Sequence, residues 1–271
     1  MGIPGVLGLI AGNGIYPMLV ARAARRQGVP AIHAAAFENE TDPALADLVE
    51  SMEWVRVGQL GRLLRYFQNT GVTEAIMAGQ ISPKNLFDLR PDLKTLVLLS
   101  RLKERNAESL FGAVADELAR AGVRLLPAST FLEDSLAPEG LVAGPPPRRR
   151  SLEDARFGFQ IAKETSRLNI GQTVVVRNGT VLAVEAFEGT DEAMRRGAQL
   201  GRGQAVMVKV TKPKQDMRFD VPVIGVKTLE VAAHVGVRLI GVEAGLTLLL
   251  DRPSVTGAAL KNNVTLYGIR A

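Results

Sequence analysis

Val6-Leu7-Gly8-Leu9-Ile10-Ala11-Gly12-Asn13-Gly14-Ile15-Tyr16-Pro17, with the run that follows it to Gln27, decides the fold of this 271-residue chain. An apolar strand enters two glycines and then a helix. Pro17 suits the first helical turn, where a backbone N–H has no partner and the proline ring already holds a helical φ. Ala31–Ala35, Trp54–Val57, Ala75–Ala78 and Val123–Leu125 repeat the short apolar strand pattern. Pro17–Gln27, Gln59–Thr70 and Ala107–Ala121 fill the gaps with helical spacing. Strand alternating with helix predicts a parallel sheet covered by helices, here a Rossmann-like N-terminal domain.

Gly144-Pro145-Pro146-Pro147-Arg148-Arg149-Arg150 is the strongest punctuation in the chain. Consecutive prolines favour an extended spacer and arginines favour solvent, so the expected division is a domain over 1–143, a linker over 144–150 and a mixed α/β domain over 151–271. In that second domain Ser151–Leu168 reads as a helix with Phe157, Ile161 and Leu168 on its apolar face, entered through Ser151 with Asp154 three residues on. Thr173–Val176 and Thr180–Val184 flank Asn178-Gly179, a pair that readily takes the positive φ angles of a tight hairpin turn. A helix over Asp191–Leu200, a strand over Ala205–Val210 and further strand and helix patterns from Val223 to Leu250 complete the α/β class.

Pro91–Arg105 is also helical in pattern and carries Leu93, Leu96, Val97, Leu98, Leu99 and Leu102, more apolar surface than a lone surface helix needs. Burial against the second domain or a second subunit explains it, and an acyl-chain groove is the sharper alternative.

Composition narrows the chemistry. The chain has no cysteine, which excludes disulfides, thiolate metal sites and a cysteine nucleophile. No apolar run reaches the roughly 18 residues of a membrane span, and Met1–Ala11 has no basic leader, so a cytoplasmic protein is expected. Thirty-three Lys and Arg against 28 Asp and Glu give a net charge of +5, suited to an anionic partner. Aromatics are only 5%, too few for base-stacking platforms, so nucleic acid is not the expected partner. His33 and His234 have no metal-ligand spacing and read as structural.

Four segments carry candidate chemistry. The amides around Gly12-Asn13-Gly14 and the helix behind them can hold a phosphate or a nucleotide edge; the other reading is a tight turn with no ligand. As a dinucleotide fingerprint the segment is poor, because Pro17 occupies the third glycine position, although Glu38 lies where a ribose ligand can sit. Gly79-Gln80 follows a strand at the end where open α/β sheets bind ligands. Gln80 offers a donor and an acceptor to a base edge, or is a solvated amide.

Glu185-Ala186-Phe187-Glu188-Gly189-Thr190-Asp191-Glu192 is the densest segment. Thr190 as an N-cap and Asp191 and Glu192 beside the helix dipole account for part of it. Glu185 and Glu188, among apolar neighbours, call for a cation partner, and hard oxygens on one loop suit Mg²⁺. In Lys209–Pro222, Lys209, Lys212 and Arg218 can neutralise a pyrophosphate while Asp220 holds Mg²⁺ or orients a water; the plainer reading is a charged loop paired with itself.

Taken together, GLIAGNG (8–14), IMAGQI (76–81), IGQTVVVRNGTVLAVEAFEGTD (170–191), VKVTKPKQDMRFDVPVIGVKT (208–228) and VGVRLIGVEAG (235–245) resemble the UDP-2,3-diacylglucosamine pyrophosphatase family that lacks the calcineurin-like metallophosphatase fold. The segments cover most of the chain in family order. The resemblance implies two domains with the active site in the cleft between them, usually a homodimer, and Mg²⁺ with Mn²⁺ as the alternative. It implies attack of water on the α-phosphorus of UDP-2,3-diacylglucosamine, giving UMP and 2,3-diacylglucosamine 1-phosphate for lipid A, with peripheral contact at the inner membrane surface.

By the same match Asp220 has a catalytic or metal-organising role, and the acid-rich loop adds Glu185 and Asp191 as the other expected metal ligands. Gly12, Asn13, Gly14, Gly79 and Gln80 face the nucleotide; Glu188, Gly189, Thr190 and Asp191 face the phosphates; Lys209, Lys212, Gln215 and Arg218 complete the substrate contacts. Val226 stands where the family pattern has proline. Two rival readings remain at this stage: a Rossmann-like NAD(P)-dependent oxidoreductase and a non-catalytic nucleotide or lipid carrier.

Overall fold

A computed structural model describes residues 2–81, 91–102 and 107–270, and the chain divides into two compact units. The first comprises Met1–Glu133 together with Asp216–Asp220, the second Asp134–Gln215 with Val221–Ala271.

The first unit is built on a five-stranded parallel sheet of order β3-β2-β1-β4-β5. Its strands are β1 (Val6–Ala11), β2 (Ala31–Phe37), β3 (Ser51–Val55), β4 (Glu74–Ala78) and β5 (Arg124–Leu125). β1 is central, with Leu9 opposite Ala34 on one side and Ile76 on the other. Helices on both faces bury the strands, so β1 and β2 read as near-continuous apolar runs rather than alternating ones. β3 starts earlier than its apolar run suggests. Pairing with β2 runs from His33–Ser51 to Phe37–Val55, and the chain then turns at Gly58, whose φ is +99°.

The covering helices are α1 (Tyr16–Arg26), α2 (Leu60–Asn69), α3 (Leu93–Arg101) and α4 (Ala107–Arg120). Pro17 lies in the first turn of α1, as its missing N–H requires. Asp92 caps α3 by accepting from Thr95 N at 2.8 Å, and its other oxygen accepts from Gly61 N at 2.7 Å. α3 therefore docks on the start of α2 while Leu93, Leu96 and Val97 stay exposed. The rest of the expected helix, residues 103–105, lies outside the described residues.

In the second unit a six-stranded mixed sheet has the order β6-β13-β11-β9-β7-β8. The strands are β6 (Gly140–Ala143), β7 (Thr173–Arg177), β8 (Thr180–Val184), β9 (Ala205–Lys209), β11 (Val237–Glu243) and β13 (Thr265–Ile269). A small parallel pair, β10 (Val223–Ile224) and β12 (Leu248–Leu249), stands apart. Helix α5 (Arg149–Arg167) covers one face through Ala155, Phe159 and Ala162 against Val174, Val176 and Val208. Helices α6 (Thr190–Leu200), α7 (Val226–Val235) and α8 (Arg252–Lys261) cover the other, where Met194, Leu229 and Val255 meet Met207 and Ile240.

The Pro/Arg segment 144–150 lies inside the second unit: β6 pairs with β13 just before it, Pro145 O accepts from Thr265 Oγ1 at 2.8 Å, and α5 begins at Arg149. Ser151 and Asp154 do not form a capping box, and Leu168, expected on the apolar face, is exposed. Asp154, only 6% exposed, instead accepts from the amides of Asn178 and Gly179, both at 2.8 Å. A buried carboxylate thus pins the hairpin turn, whose φ angles of +52° and +72° the Asn-Gly pair supplies. Among the described residues no helix is long and apolar enough to cross a membrane.

Candidate functional site

In the first unit the strand order reverses between β1 and β4, the position where open α/β sheets bind ligands beyond the carboxyl ends of their strands. The two loops expected there meet. Gly12 N donates to Ala78 O at 2.8 Å, and Asn13 and Gln80 exchange backbone hydrogen bonds of 2.7 and 3.2 Å. Such closeness requires glycine: a Cβ on Gly12 would stand 2.5 Å from Gln80 O, and one on Gly79, whose φ is +94°, 2.7 Å from Asn13 O. Gly12 is buried, while Asn13, Gly14, Gly79 and Gln80 are exposed.

Glu40, 6% exposed, accepts from Asn13 Nδ2 at 3.2 Å and sets the orientation of that amide. Thr41 Oγ1 donates to Ala11 O and accepts from Phe37 N, tying the β2 loop to the end of β1. Glu40 escapes sequence reasoning, which singles out Glu38 two residues earlier; Glu38 pairs with Arg56 at 2.9 Å. The backbone amides of Asn13 and Gln80 are spent on each other, so neither is left to cradle a phosphate.

Asp216–Asp220 belongs to this same unit. Ala128 N donates to Met217 O at 2.8 Å, and the Phe219 ring lies 5.8 Å from that of Phe111. Both Asp216 oxygens accept from Arg218, Nη2 at 2.6 Å and Nε at 2.9 and 3.1 Å, which holds the Asp216 carboxyl below its ordinary range. The Arg218 fork, expected to meet pyrophosphate, is engaged by this neighbour. Asp220 is half-buried and its amide donates to Asp216 O at 3.0 Å, a one-turn geometry that fixes its backbone.

The second unit gathers a different group of expected residues. A cavity of about 300 Å³ is lined by Glu185, Lys209 and Lys212 together with Asn169–Gln172 and Ala186. Thr190 Oγ1 donates to Glu185 Oε1 at 2.9 Å and accepts from Lys209 Nζ at 3.3 Å. Gln215 Oε1 accepts from Lys212 N at 2.6 Å, so Gln215 shapes the loop that carries Lys212.

The acids of the dense segment separate. Glu188 pairs with Arg196 at 2.6 Å, which holds its carboxyl below the usual range, and Asp191 lies 3.4 Å from Lys227. The N-cap of α6 is Gly189, with φ +83°, and Thr190 becomes its first residue with its hydroxyl turned to Glu185. Phe187 is almost fully exposed, so the apolar context read around Glu188 is not a buried one.

Among the described residues no three His, Asp or Glu side chains gather to hold a metal. The donor chemistry still fits Mg²⁺, which takes hard oxygens and binds through one or two carboxylates plus substrate phosphates. Glu185 is the carboxylate that the cavity lining offers, beside Lys209 and Lys212.

A second feature that sequence reasoning passes over is Lys163, Thr211 and Glu243. Glu243 ends the buried strand β11 and is 6% exposed. Its carboxylate pairs with Lys163 Nζ at 3.0 Å and accepts from Thr211 N and Oγ1 at 2.8 and 2.6 Å. The signal available was a carboxylate at the end of an apolar run, which must find a partner.

Comparison with known proteins follows the two-part organisation. Residues 6–135 match the family model described as the LpxI N-terminal domain, and residues 138–267 match the LpxI C-terminal domain. The chain is 34% identical over 274 residues to a protein of Caulobacter vibrioides named UDP-2,3-diacylglucosamine pyrophosphatase LpxI, covering 97% of each. Among solved structures, gox2253 aligns over 98% of this chain and 90% of its own with a TM-score of 0.31 at 13% identity. CobK precorrin-6A reductase aligns over 98% and 88% with a TM-score of 0.30, also at 13% identity. Likenesses that weak carry no argument about chemistry.

Proposed function

This chain belongs to the LpxI family, and from that premise we propose that it hydrolyses the pyrophosphate bond of UDP-2,3-diacylglucosamine, giving UMP and 2,3-diacylglucosamine 1-phosphate in the lipid A pathway. The observation that carries this reading is the identity to a named pyrophosphatase along 97% of both chains. The site chemistry agrees with it. Asn13, steadied by Glu40, and Gln80 offer donors and acceptors to a uracil edge, and the Gly12 and Gly79 turns let the nucleotide approach the backbone.

Lys209 and Lys212 neutralise non-bridging phosphate oxygens, with Thr190 orienting the Lys209 ammonium. Asp220, Glu185 and Asp191 are the carboxylates that would supply one or two ligands to Mg²⁺, with Mn²⁺ as the alternative, and the metal would supply Lewis-acid stabilisation of charge on phosphorus oxygens. Asp220, on a backbone turn fixed by Asp216, orients the attacking water toward the α-phosphorus. No covalent intermediate is needed, because positioning and charge neutralisation suffice for water to displace a phosphate leaving group. The exposed face of Leu93, Leu96 and Val97 on α3 supports contact with the acyl chains of this substrate at the inner membrane surface. A homodimer working in the cytoplasm completes the reading.

The test is incubation of the purified protein with UDP-2,3-diacylglucosamine in H₂¹⁸O, with and without Mg²⁺, and mass spectrometry of the products. Metal-dependent UMP carrying the label is the expected result. Substrate binding without cleavage moves the assignment to a nucleotide or lipid carrier, and label in the lipid phosphate moves the attack to the other phosphorus.

A further inference from the structure

Thr211 sits in the chain between Lys209 and Lys212, the two cations that line the cavity of the second unit. It is 4% exposed, and each of its polar atoms is held. Its amide and hydroxyl donate to Glu243 Oε2 at 2.8 and 2.6 Å. Its carbonyl accepts from Lys163 Nζ at 3.0 Å, and the same ammonium reaches both Glu243 oxygens at 3.0 and 3.1 Å. On either side the backbone is tied again, Val210 N to Gln172 O at 3.0 Å and Lys212 N to Gln215 Oε1 at 2.6 Å.

Stability alone is a poor account of this arrangement. A buried ion pair roughly breaks even against apolar side chains of similar volume, because desolvation of both charges offsets their attraction. What a carboxylate and an ammonium provide, and two leucines do not, is polarity matched to one peptide: the anion takes the N–H and O–H of Thr211, the cation takes its C=O. Since the pair is neutral overall, it adds little field to the cavity. Its effect is on where the backbone lies from which Lys209 and Lys212 project.

We propose that Lys163 and Glu243 are positioning residues that act through Thr211, fixing the two cavity lysines for a diphosphate ligand. This rests on the function proposed above, so the experiment separates the two. Thr211→Val removes one hydroxyl, keeps the volume and leaves the Lys163–Glu243 pair and the charge of the cavity unchanged; Thr211→Ser keeps the hydroxyl. Glu243→Gln attacks the pair itself. For each variant, folding is followed by circular dichroism and thermal unfolding, inorganic pyrophosphate binding by calorimetry, and kcat and KM on UDP-2,3-diacylglucosamine well below the unfolding temperature.

The expected result is a folded Thr211→Val protein with pyrophosphate binding weakened about tenfold and kcat lowered on the order of a hundredfold, as a misplacement near 1 Å produces. Thr211→Ser should stay close to the parent, which a loss of packing alone does not predict. Glu243→Gln should repeat the loss if it folds; if it does not, Thr211→Val decides. Folded Thr211→Val with kcat and pyrophosphate affinity within twofold of the parent overturns the proposal, as does a parent protein that does not bind pyrophosphate. A parent that binds pyrophosphate but cleaves no substrate sinks the proposed function instead, and the binding data still judge the positioning role.

Discussion

Replacing Gly12 by alanine puts the first unit's proposed nucleotide loops to a sharp test. The added Cβ would stand 2.5 Å from the carbonyl oxygen of Gln80 and 3.0 Å from its carbonyl carbon and its amide nitrogen. Non-bonded heavy atoms settle near 3.5 Å, so one of the two loops must retreat by about 1 Å. Gly12 does not occupy the left-handed region, so its own conformation suits alanine. The whole effect is collision with backbone, which cannot swing aside as a side-chain tip does.

Overpacking of this kind costs about 1–3 kcal/mol in stability, and displacement of a binding loop by 1 Å costs on the order of a hundredfold in turnover. Calorimetric binding of UMP and steady-state cleavage of UDP-2,3-diacylglucosamine, measured on protein shown to be folded, read the second effect. Gly71→Ala is the control. That glycine has φ +70° with no atom within 4 Å of the added Cβ, so alanine there costs about 1–2 kcal/mol by strain alone and should leave UMP affinity as it was. A Gly12→Ala protein with parental UMP affinity and turnover would refute the reasoning, because the two loops would then not be the nucleotide site.

Other outcomes follow from the same geometry. Asp220→Ala should retain UMP binding and lose turnover by several orders of magnitude; near-normal turnover in the folded variant removes Asp220 from the chemistry. Chelation of divalent metal should abolish cleavage, and added Mg²⁺ should restore it; full activity in excess chelator would exclude the metal role. Asp154→Ala removes two charge-assisted hydrogen bonds to the hairpin turn. Each contributes about 1.5–3 kcal/mol, and water recovers part of that at the exposed turn, so thermal unfolding should drop by roughly 5–10 °C. A shift under 1 °C would show that the turn holds itself. Asp216 has a folded pKa lowered by Arg218, so its stabilising effect is present above its ordinary value of 3.8 and is lost as pH falls through the lower folded value. Parent and Asp216→Asn should therefore differ in unfolding temperature at pH 6 and converge in strong acid; parallel profiles over the whole range would count against the ion pair.

Much of the architecture was legible because parallel strands buried on both faces leave continuous apolar runs, and the Gly12–Pro17 turn then fixes where the first helix starts. β10 and β12 are two residues each and leave no pattern of their own to read. The Pro/Arg run reads as a linker by local composition, yet Pro145 is held by Thr265, 120 positions away, which composition cannot register. The candidate site divides the same way. Gly12, Asn13, Gly79 and Gln80 were readable because strand ends in this topology bind ligands, and Glu185, Lys209 and Lys212 because unlike charges cluster in sequence. Glu40, Lys163 and Glu243 act on residues far along the chain, so no local signal assigns them a partner.

The run Asp216–Asp220 is encoded in the second half of the chain but packs with the first, through Met217 on Ala128 and Phe219 on Phe111. The two halves are consequently not interchangeable parts. A chimera that joins residues 1–137 of this protein to the C-terminal half of a relative would graft a foreign five-residue insert into its N-terminal core. Recombination between family members at that junction should succeed only where the residues at 217 and 219 and those at 111 and 128 descend together.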